Sequence, residues 1–335
     1  MILKTCGRKG TNMKEINLQT KKEIIPIFFA VDDRYAPYLC VALNSLKAHA
    51  SLKYEYDINI LIDTLNDESK KAILEMAGDN ISIKFVNVQK KLERILSRLH
   101  MRDYYTQATY YRFFVPAMFE EYDRGLYLDC DIAITDDVAK LYHCALGDNL
   151  VAAVPDEIIT DIDVFGRYSE AVLSIPRYEY FNAGILVMNL KEMRRINIEQ
   201  QFADLLSQRT YRVAQDQDYL NVLCYGKTLL LNKKWNKTPM PDSNIYIIPK
   251  IAHYKINFKP WKYDNVPYGY LFWKYAKGTH FYEKLLKDKN GYTEEEKNRD
   301  SMQYASLVQL AIKEVNDVEY STNDLSQNDM ILAEA

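Results

Sequence analysis

The sequence predicts an α/β protein with a mixed, doubly wound sheet flanked by helices. Near-continuous apolar runs, such as IPIFFAVD at 25–32, are typical of strands buried on both faces. Segments of helical spacing separate these runs, and the resulting β-α-β-α-β alternation is what a doubly wound sheet requires. With 48% hydrophobic and 27% charged residues, the chain can bury a sizeable core, which excludes wholesale disorder.

The same patterns place the elements along the 335 residues. Strands are predicted at 25–32, 56–62, 81–88, 124–129, 149–154 and 182–189. Helices are predicted at 38–49, 67–78, 105–119, 191–207, 216–225 and 294–318. We expect three regions: a flexible N-terminal segment at 1–23, an α/β domain at 24–262 and a helical C-terminal region at 263–335 whose last residues, 319–335, are frayed.

Charge and cysteine content narrow the function classes. A net charge of −3 gives no global field for nucleic acid, so we expect no nucleic-acid partner. Five cysteines without a C-x-x-C pair exclude a zinc ribbon and indicate free thiols in a reducing cytoplasm. No run approaches the roughly 18 apolar residues of a membrane span, and the N-terminal residues lack the apolar region of a signal peptide.

The pattern that carries chemistry is an apolar strand that ends in Asp129-Cys130-Asp131. In an extended segment, residues i and i+2 point to the same side, so the two carboxylates meet in one small volume. They repel each other unless a cation lies between them, and oxygen ligands suit Mg²⁺ or Mn²⁺. The alternative interpretation is a solvated turn after a strand.

Two other enzyme classes use related patterns. Haloalkanoate-dehalogenase-type phosphatases also place D-x-D after a strand. Their pattern has Thr or Val at the position of Ala133, and their motif normally follows the first strand, whereas here three strands precede it. Sugar-nucleotide pyrophosphorylases need a Gly-rich loop after the first strand, where this chain has VDDRYAPY. Both patterns therefore fit the sequence poorly.

Six segments in order carry a family resemblance: FFAVDDRYAPYLCVALNSL, TYYRFFVP, GLYLDCDIAI, YFNAGILVMNL, DQDYLN and HYKINFKPW. Over residues 25–285 the chain resembles the family 8 retaining glycosyltransferases. These include bacterial galactosyl- and glucosyltransferases of lipopolysaccharide and, more distantly, glycogenin. The resemblance implies a GT-A fold, a UDP-hexose donor and Mn²⁺, with Mg²⁺ as the other candidate metal.

The resemblance also implies roles for individual residues. Asp129, Asp131 and His253 match the three metal ligands. The positions that match the nucleotide and diphosphate site are Ala30, Asp32, Tyr35, Arg112, Cys130 and Lys259. The positions that match the site of the transferred sugar are Asp156, Asn182, Asp216 and Gln217. Gln217, Asp216 and the adjacent carboxylate Asp218 are the candidate catalytic residues. We expect Asp216 to serve also as the N-cap of the 216–225 helix.

Two departures from the family pattern affect these roles. Ile256 stands where the family usually has Gly, at a point where backbone meets the diphosphate. Its side chain is expected either to crowd the phosphates or to force another backbone path. Arg34 replaces a commoner Asn beside the nucleotide, so ribose or uracil contacts are not carried over to it.

The implied reaction moves galactose or glucose from UDP to a hydroxyl of an oligosaccharide or lipid-linked glycan, with retention at C1. Retention can arise by a covalent intermediate or by attack of the acceptor on the face that UDP leaves, and the second route is favoured because Gln217 is a poor nucleophile. The alternative function is a UDP-sugar-binding protein with little transfer activity. We expect the acceptor site in 157–180 and 236–250.

The basic, aromatic segment 261–289 admits two interpretations. Lys and aromatic side chains at one surface can dock at anionic headgroups, which would place the protein at the inner face of the membrane. Alternatively, the aromatic residues pack the C-terminal helices onto the sheet and the Lys side chains are solvated. The acidic tail after Gly291 argues against membrane association.

Overall fold

The computed structural model describes residues 22–93, 107–240 and 247–333, and only the backbone of the last helix from residue 319 onward. Most of the predicted flexible segment at 1–23 lies outside the described residues. So do the first two residues of the predicted 105–119 helix and residues 241–246 of the expected acceptor region.

Nine strands form the sheets of the described residues, and all six predicted strands are confirmed. Their bounds are β1 Glu23–Ala30, β2 Tyr54–Ile62, β3 Ile81–Asn87, β4 Gly125–Leu128, β5 Ile132–Ile134, β6 Val151–Pro155, β7 Phe181–Met188, β8 Thr228–Leu230 and β9 Ile251–His253. Three of them, β5, β8 and β9, have three residues each, which is too short for an alternation or an apolar run to be recognised in the sequence.

The main sheet has seven strands in the order β3-β2-β1-β4-β7-β6-β8. Strand β1 pairs in parallel with both β2 and β4, whereas β7 runs antiparallel to its neighbours β4 and β6. The chain therefore winds outward from β1 to β3 and returns on the other side of β1 as β4. Open α/β sheets bind ligands at the carboxyl ends of strands beside such a reversal.

The helices flank this sheet. They are α1 Ala36–His49, α2 Asp67–Leu74, α3 Gln89–Leu92, α4 Val115–Met118, α5 Ala139–Tyr142, α6 Glu157–Asp161, α7 Asp163–Val172, α8 Leu190–Arg195, α9 Ile198–Gln208, α10 Asp216–Cys224, α11 Gly269–Ala276, α12 Tyr282–Asn290 and α13 Glu294–Ala333. In the part of the chain that the structure describes, 3₁₀ helices cover Gln107–Phe113 and Lys233–Asn236. The predicted mixed sheet with flanking helices and a helical C-terminal region is confirmed.

Three helix predictions were wrong in their bounds. The predicted helix at 105–119 is a 3₁₀ helix followed by the short α4, because Pro116 is tolerated only in the first turn of a helix. The predicted helix at 191–207 is divided into α8 and α9 at Asn197, whose φ of +52° interrupts a right-handed helix. The last helix continues to Ala333, where the sequence predicted a frayed end from 319.

The aromatic residues that follow His253 belong to the main core. Trp261, Tyr268, Phe272, Tyr275 and Phe281 are all buried in the cluster that also contains the strand and α1 side chains. These rings therefore pack α11 and α12 against the sheet domain and cannot insert among lipid headgroups. Tyr270, 67% exposed, is the large aromatic of α11 that faces solvent.

Helix α13 packs against α7 through a separate apolar cluster. Ala311 and Val315 are buried there, with Tyr304 and Leu307 partly buried beside Phe165 of α7. An ion pair at 3.0 Å between Lys262 and Asp300 ties the first turns of α13 to the segment after β9. Within the described part of the chain, no helix has both the length and the apolar content that crossing a bilayer requires.

Gly125 at the start of β4 provides a test of core packing. A Cβ at this position would lie 2.4 Å from Cε2 of Phe28, whose ring is buried and packs at a tilt against Phe119. We expect Gly125→Ala to lower the free energy of unfolding by about 1–3 kcal/mol, because the ring must leave its preferred position. Urea denaturation measures this change.

Gly78→Ala is the matched control for that variant. A Cβ at Gly78 would meet only the flexible end of the Lys47 side chain, at 3.4 Å. Its free energy of unfolding should stay within about 0.5 kcal/mol of the unaltered protein. Equal stabilities for the two variants would contradict the packing argument.

Candidate functional site

The predicted site residues converge on one cavity at the carboxyl edge of the main sheet. Every one of them lines it except Asp218: Ala30, Asp32, Tyr35, Arg112, Asp129, Cys130, Asp131, Asp156, Asn182, Asp216, Gln217, His253 and Lys259. Strands β1, β4 and β6 end at this edge. Because β7 is antiparallel to β4, its first residues lie at the same edge, which brings Asn182 beside Asp129.

The small sheet brings the three predicted metal ligands together. Strand β5 pairs antiparallel with β9 so that Ile132 is opposite His253, and the amide of Tyr254 donates to the carbonyl of Asp131 at 2.9 Å. Nε2 of His253 lies 3.2 Å from Oδ1 of Asp131 and 3.7 Å from Oδ2 of Asp129. One ligand atom from each of the three residues lies within 4.8 Å of the others.

A chain of amides fixes the orientation of the His253 ring. The backbone amide of Gly184 and Nδ2 of Asn236 both donate to Oδ1 of Asn182, at 3.0 and 2.7 Å. The Oδ1 atom of Asn236 therefore faces Nδ1 of His253, at 2.9 Å. Nδ1 must carry a proton to donate here, which leaves Nε2 as the ring nitrogen that faces the carboxylates, at the position of a metal ligand.

Each carboxylate of the D-x-D pair faces a cationic side chain: Lys259 pairs with Asp131, and Arg112 pairs with Asp129. Lys259 Nζ donates to Oδ2 of Asp131 at 2.5 Å. Burial alone would raise the pKa of Asp131, but Lys259 and His253 hold it below its usual range. Asp131 is therefore ionised at neutral pH, as a carboxylate ligand of a cation must be.

Arg112, predicted for the nucleotide and diphosphate site, is buried in the cavity wall. It is 3% exposed, and its guanidinium lies 3.1 Å from Oδ1 of Asp129 and 3.2 Å from Oδ2 of Asp216. The carbon centre of the guanidinium also lies 4.4 Å from the ring centroid of Tyr127. One planar fork thus bridges the metal-ligand candidate and the start of α10.

Asp216 differs from the prediction in one respect. The N-cap of α10 is Gln215, with φ of +49°, and Asp216 is the first helical residue, so it does not cap the helix. The carboxylate instead pairs with Arg112. Burial, together with the nearby charge of Asp129, nevertheless raises the pKa of Asp216 to about 7.

Gln217 is held by hydrogen bonds on both sides of its amide. Its Oε1 accepts from the backbone amide of Ala183 at 3.0 Å and from Nδ2 of Asn182 at 2.9 Å. Its Nε2 donates to Oδ2 of Asp156 at 3.1 Å. The amide oxygen is therefore already engaged by two donors.

Asp156 directly follows β6 and caps α6 by accepting from the amide of Ile158 at 2.9 Å. Burial would raise its pKa, but an ion pair at 2.8 Å with Lys255 outweighs that effect and lowers the pKa to about 2. Asp156, which the resemblance matches to the sugar site, is thus a buried carboxylate of the cavity wall that is ionised at neutral pH.

Asp218 lies outside the cavity. Its carboxylate is fully buried and accepts from Tyr168 Oη at 2.9 Å, Tyr180 Oη at 2.7 Å and the amide of Ala214 at 2.9 Å. All of these contacts join α10 to its neighbours in the fold. The geometry therefore gives Asp218 a structural position, whereas Asp216 and Gln217 face the cavity.

The residues after β1 form the other end of the cavity. Oδ1 of Asp32 accepts from the amide of Tyr35 at 3.0 Å, and its Oδ2 pairs with the exposed Arg34 at 3.1 Å. Sγ of Cys130 donates to the carbonyl of Ala30 at 3.2 Å. The Arg34 side chain is thus directed at Asp32 from outside and does not line the cavity.

Ile256 occupies a left-handed backbone conformation, with φ of +52°. This region is strained for a β-branched residue and free of strain for Gly, which explains why Gly suits the position. The side chain lines the cavity and packs against the cluster that α7 and α13 share.

Several cavity residues were missed by sequence reasoning. Outside the predicted stretch 157–180, which supplies Ile158, Ile159 and Phe165, they are Thr109, Tyr127, Gly184, Val213, Ala214, Lys255 and, from α13, Gln303, Tyr304 and Leu307. The helical period of α13 is visible in the sequence, but nothing in it indicates that this helix returns to the cavity. Lys255 stands inside HYKINFKPW, and its neighbours His253 and Lys259 were the only signal.

Comparison with known proteins identifies the fold and the family resemblance. Residues 26–265 match the model of the family described as Glycosyl transferase family 8. A crystal structure of the galactosyltransferase LgtC with donor and acceptor sugar analogues superposes with a TM-score of 0.64 and 28% identity, over 76% of this chain and 96% of that one. The GT-A fold predicted from the resemblance is confirmed.

Curated relatives point to the same class. A Haemophilus influenzae protein named as a glycosyltransferase without a stated substrate is 29% identical over 216 residues, which cover 64% of this chain and 63% of that protein. The lipopolysaccharide 1,2-glucosyltransferase of Escherichia coli is 27% identical over 275 residues, 76% of this chain and 77% of that one. The chain thus spans 63% of the length of the Haemophilus relative.

Gly184 provides a test of the metal-ligand cluster. A Cβ at this position would lie 2.4 Å from Cε1 of His253 and 2.5 Å from Oδ2 of Asp129. We expect Gly184→Ala to weaken Mn²⁺ binding by roughly 10–100-fold, because at least one ligand must move. Calorimetric titration with Mn²⁺ measures the affinity.

Gly125→Ala is the control, since it crowds the same sheet away from the cavity and should leave Mn²⁺ affinity unchanged in the folded protein. A Gly184→Ala protein that binds Mn²⁺ as tightly as the unaltered chain would contradict the assignment of the cluster.

The buried Asp218 predicts a pH dependence of stability. Burial raises its pKa to about 6, so between pH 4 and 6 the folded protein holds a proton that the unfolded chain has lost. Its contribution to stability is therefore complete below about pH 4 and is lost as pH rises through 6. Asp218→Asn removes this titration while keeping an oxygen for the amide of Ala214.

Relative to the unaltered protein, Asp218→Asn should gain about 1 kcal/mol of unfolding free energy between pH 5 and 7.5. Urea denaturation at the two pH values measures it, with Asp67→Asn, a fully exposed site, as control. Parallel stability curves for Asp218→Asn and the unaltered protein would refute the raised pKa.

Proposed function

This chain belongs to glycosyl transferase family 8, and we propose that it moves galactose or glucose from a UDP-sugar to a glycan hydroxyl, with retention at C1. The observation that carries the proposal is the meeting of Asp129, Asp131 and His253 in one cavity with two buried cations. Such a set suits a nucleoside diphosphate, because its oxygens can be shared between a metal and cationic side chains.

The residues present fit a divalent metal ion. Asp129, Asp131 and His253 would hold it, and the proton on Nδ1 leaves Nε2 of His253 as the donor atom. Two carboxylates and an imidazole suit Mn²⁺ better than the harder Mg²⁺, which prefers oxygen ligands alone. When bound, the metal would neutralise charge that develops on the departing UDP.

Besides the metal, the chain's own cationic side chains would stabilise the negative charge of the departing UDP. Lys259 holds Asp131 and lines the cavity, so its ammonium is available to a β-phosphate oxygen. Arg112 is fixed by two carboxylates and an aromatic ring, which pre-organises its fork toward the same region. Ala30, Asp32, Tyr35 and Cys130 form the end of the cavity that we assign to uridine.

The end of the cavity that we assign to the sugar is lined by Asp156, Asn182, Asp216 and Gln217. Because the oxygen of Gln217 already accepts two hydrogen bonds, it is a weak nucleophile toward C1. Asp218 is turned away from the cavity. We therefore propose front-face attack: the C1–O bond to UDP breaks, the acceptor oxygen bonds to C1, and the acceptor proton passes to a phosphate oxygen of UDP.

The acceptor is proposed to enter over the apolar side of the cavity. This side is formed by α6, α7 and α13 through Ile158, Phe165, Tyr304 and Leu307. The predicted stretch 157–180 thus supplies part of it, and residues 241–246 of the second predicted stretch lie outside the described residues. An oligosaccharide or a lipid-linked glycan fits a wall of this kind, since aromatic side chains pack against the apolar faces of sugars.

Cytoplasmic action at the inner face of the membrane remains a prediction from the sequence. Its aromatic support is reduced, because five rings of segment 261–289 are buried, and what remains is the exposed Tyr270 with the segment's Lys side chains.

Release of UDP from a panel of UDP-sugars with Mn²⁺, without acceptor, tests the proposed function. We expect slow release from UDP-galactose or UDP-glucose that EDTA abolishes. Asp131→Ala should lower the rate at least 100-fold, because it removes a metal ligand and leaves Lys259 without its partner. Asp67→Ala, at a fully exposed side chain, is the control and should retain the full rate.

UDP release that survives Asp131→Ala would refute the metal-dependent mechanism. Absence of release across the panel, with UDP binding intact in calorimetry, would instead favour the UDP-sugar-binding protein.

A further inference from the structure

The carboxylate of Asp156 has no capacity left for a sugar hydroxyl. Its Oδ1 accepts from the amide of Ile158 at 2.9 Å and from Nζ of Lys255 at 2.8 Å. Its Oδ2 accepts from Asn182 at 2.8 Å and from Gln217 at 3.1 Å. A carboxylate offers about four lone-pair positions, and four donors from the chain already fill them.

Lys255, in contrast to Asp156, has hydrogen-bonding capacity left over. An ammonium group carries three N–H donors, and within the described residues the hydrogen-bond partner of Lys255 is Asp156. The side chain is 12% exposed and lines the cavity. Two N–H donors are therefore left to face the cavity, at the place where Asp156 itself is saturated.

The position of Lys255 in the chain sets which part of a donor it can meet. It lies between His253 and Lys259, which are assigned to the metal and the diphosphate. Its ammonium is turned to Asp156, away from the uridine end at Asp32 and Tyr35. A hexose attached to the β-phosphate would extend into this region.

We propose that Lys255 donates to hydroxyl oxygens of the transferred hexose and is a specificity-determining residue for the donor sugar. This inference rests on the proposed function. Asp156 then acts as a positioning residue that holds the ammonium, and its ionised state keeps the long Lys side chain in one orientation. The ligand class is a neutral hexose of a UDP-sugar, since the charge of Lys255 is already balanced.

The difference between UDP and UDP-hexose binding tests the proposal. Dissociation constants for UDP, UDP-galactose and UDP-glucose are measured by calorimetry with Mn²⁺ for the unaltered protein and for Lys255→Met. We expect the UDP constant to stay within about twofold and the constant for the preferred UDP-hexose to rise about tenfold or more, the value of a lost charged hydrogen bond.

Two further variants separate this effect from loss of fold. Lys255→Met leaves Asp156 buried without a countercharge, so Lys255→Met/Asp156→Asn is measured beside it and should show the same selective loss. Lys255→Arg keeps the charge but donates from a planar fork. It should bind UDP normally and change the ratio of UDP-galactose to UDP-glucose affinity, because these sugars differ in the direction of one hydroxyl.

Lys237→Met is the matched control. Lys237 is also a buried Lys, paired at 2.6 Å with Glu157, the residue after Asp156, but it does not line the cavity. It should lose stability without losing discrimination between UDP and UDP-hexose.

Equal weakening of UDP and UDP-hexose by Lys255→Met would show a phosphate contact and overturn the proposal. Unchanged constants for all three ligands would overturn it as well. Failure of the unaltered protein to bind UDP would overturn the proposed function, and this inference with it.

Discussion

The concentration of carboxylates at one edge of the sheet is the constraint on which the site depends. The acids are Asp129, Asp131, Asp156 and Asp216, together with Asp32, which is paired with Arg34 outside the cavity. The cations that line the cavity are Arg112, Lys255 and Lys259. A charge buried without a partner costs several kcal/mol, so each acid must be paired or neutralised. Four acids against three bases leave one negative charge over. A divalent cation at His253 would meet that excess, and the raised pKa of Asp216 shows what burial does to the least well balanced acid.

Neutral amide groups fix the orientation of the side chains in this charged site. A charged pair tolerates many geometries, whereas an amide has a donor and an acceptor side that cannot be exchanged without breaking hydrogen bonds. The backbone amide of Gly184 sets the orientation of Asn182, which sets Asn236 and then the tautomer of His253. The main chain of β7 therefore reaches the metal-ligand candidate through two side chains, and the sheet itself defines which nitrogen of the ring is available.

Local sequence pattern was sufficient to predict the fold and the acids of the site. It was not sufficient to predict the residues that orient the ligand side chains. The D-x-D acids could be predicted because one strand carries both, and the resemblance supplied His253. Asn236 could not, because its role depends on a 3₁₀ helix lying beneath β9, a relation that no local pattern records. The burial of Arg112 was missed for a related reason. Pro116 divides the predicted helix, and the 3₁₀ turn before it directs the guanidinium inward.

The strained backbone at Ile256 explains why α13 belongs to the site. A left-handed conformation costs a β-branched residue on the order of 1–3 kcal/mol, and it persists only where the surroundings compensate. Here the side chain packs against the apolar cluster that α13 completes with Ala311 and Val315. The side chain is partly buried there, and burial of apolar surface, at about 25 cal/mol per Å², offsets part of the strain. A Gly at this position would relieve the backbone but leave the apolar side of the cavity open. The isoleucine and the C-terminal helix therefore act as one unit, which shapes the wall opposite the charged residues.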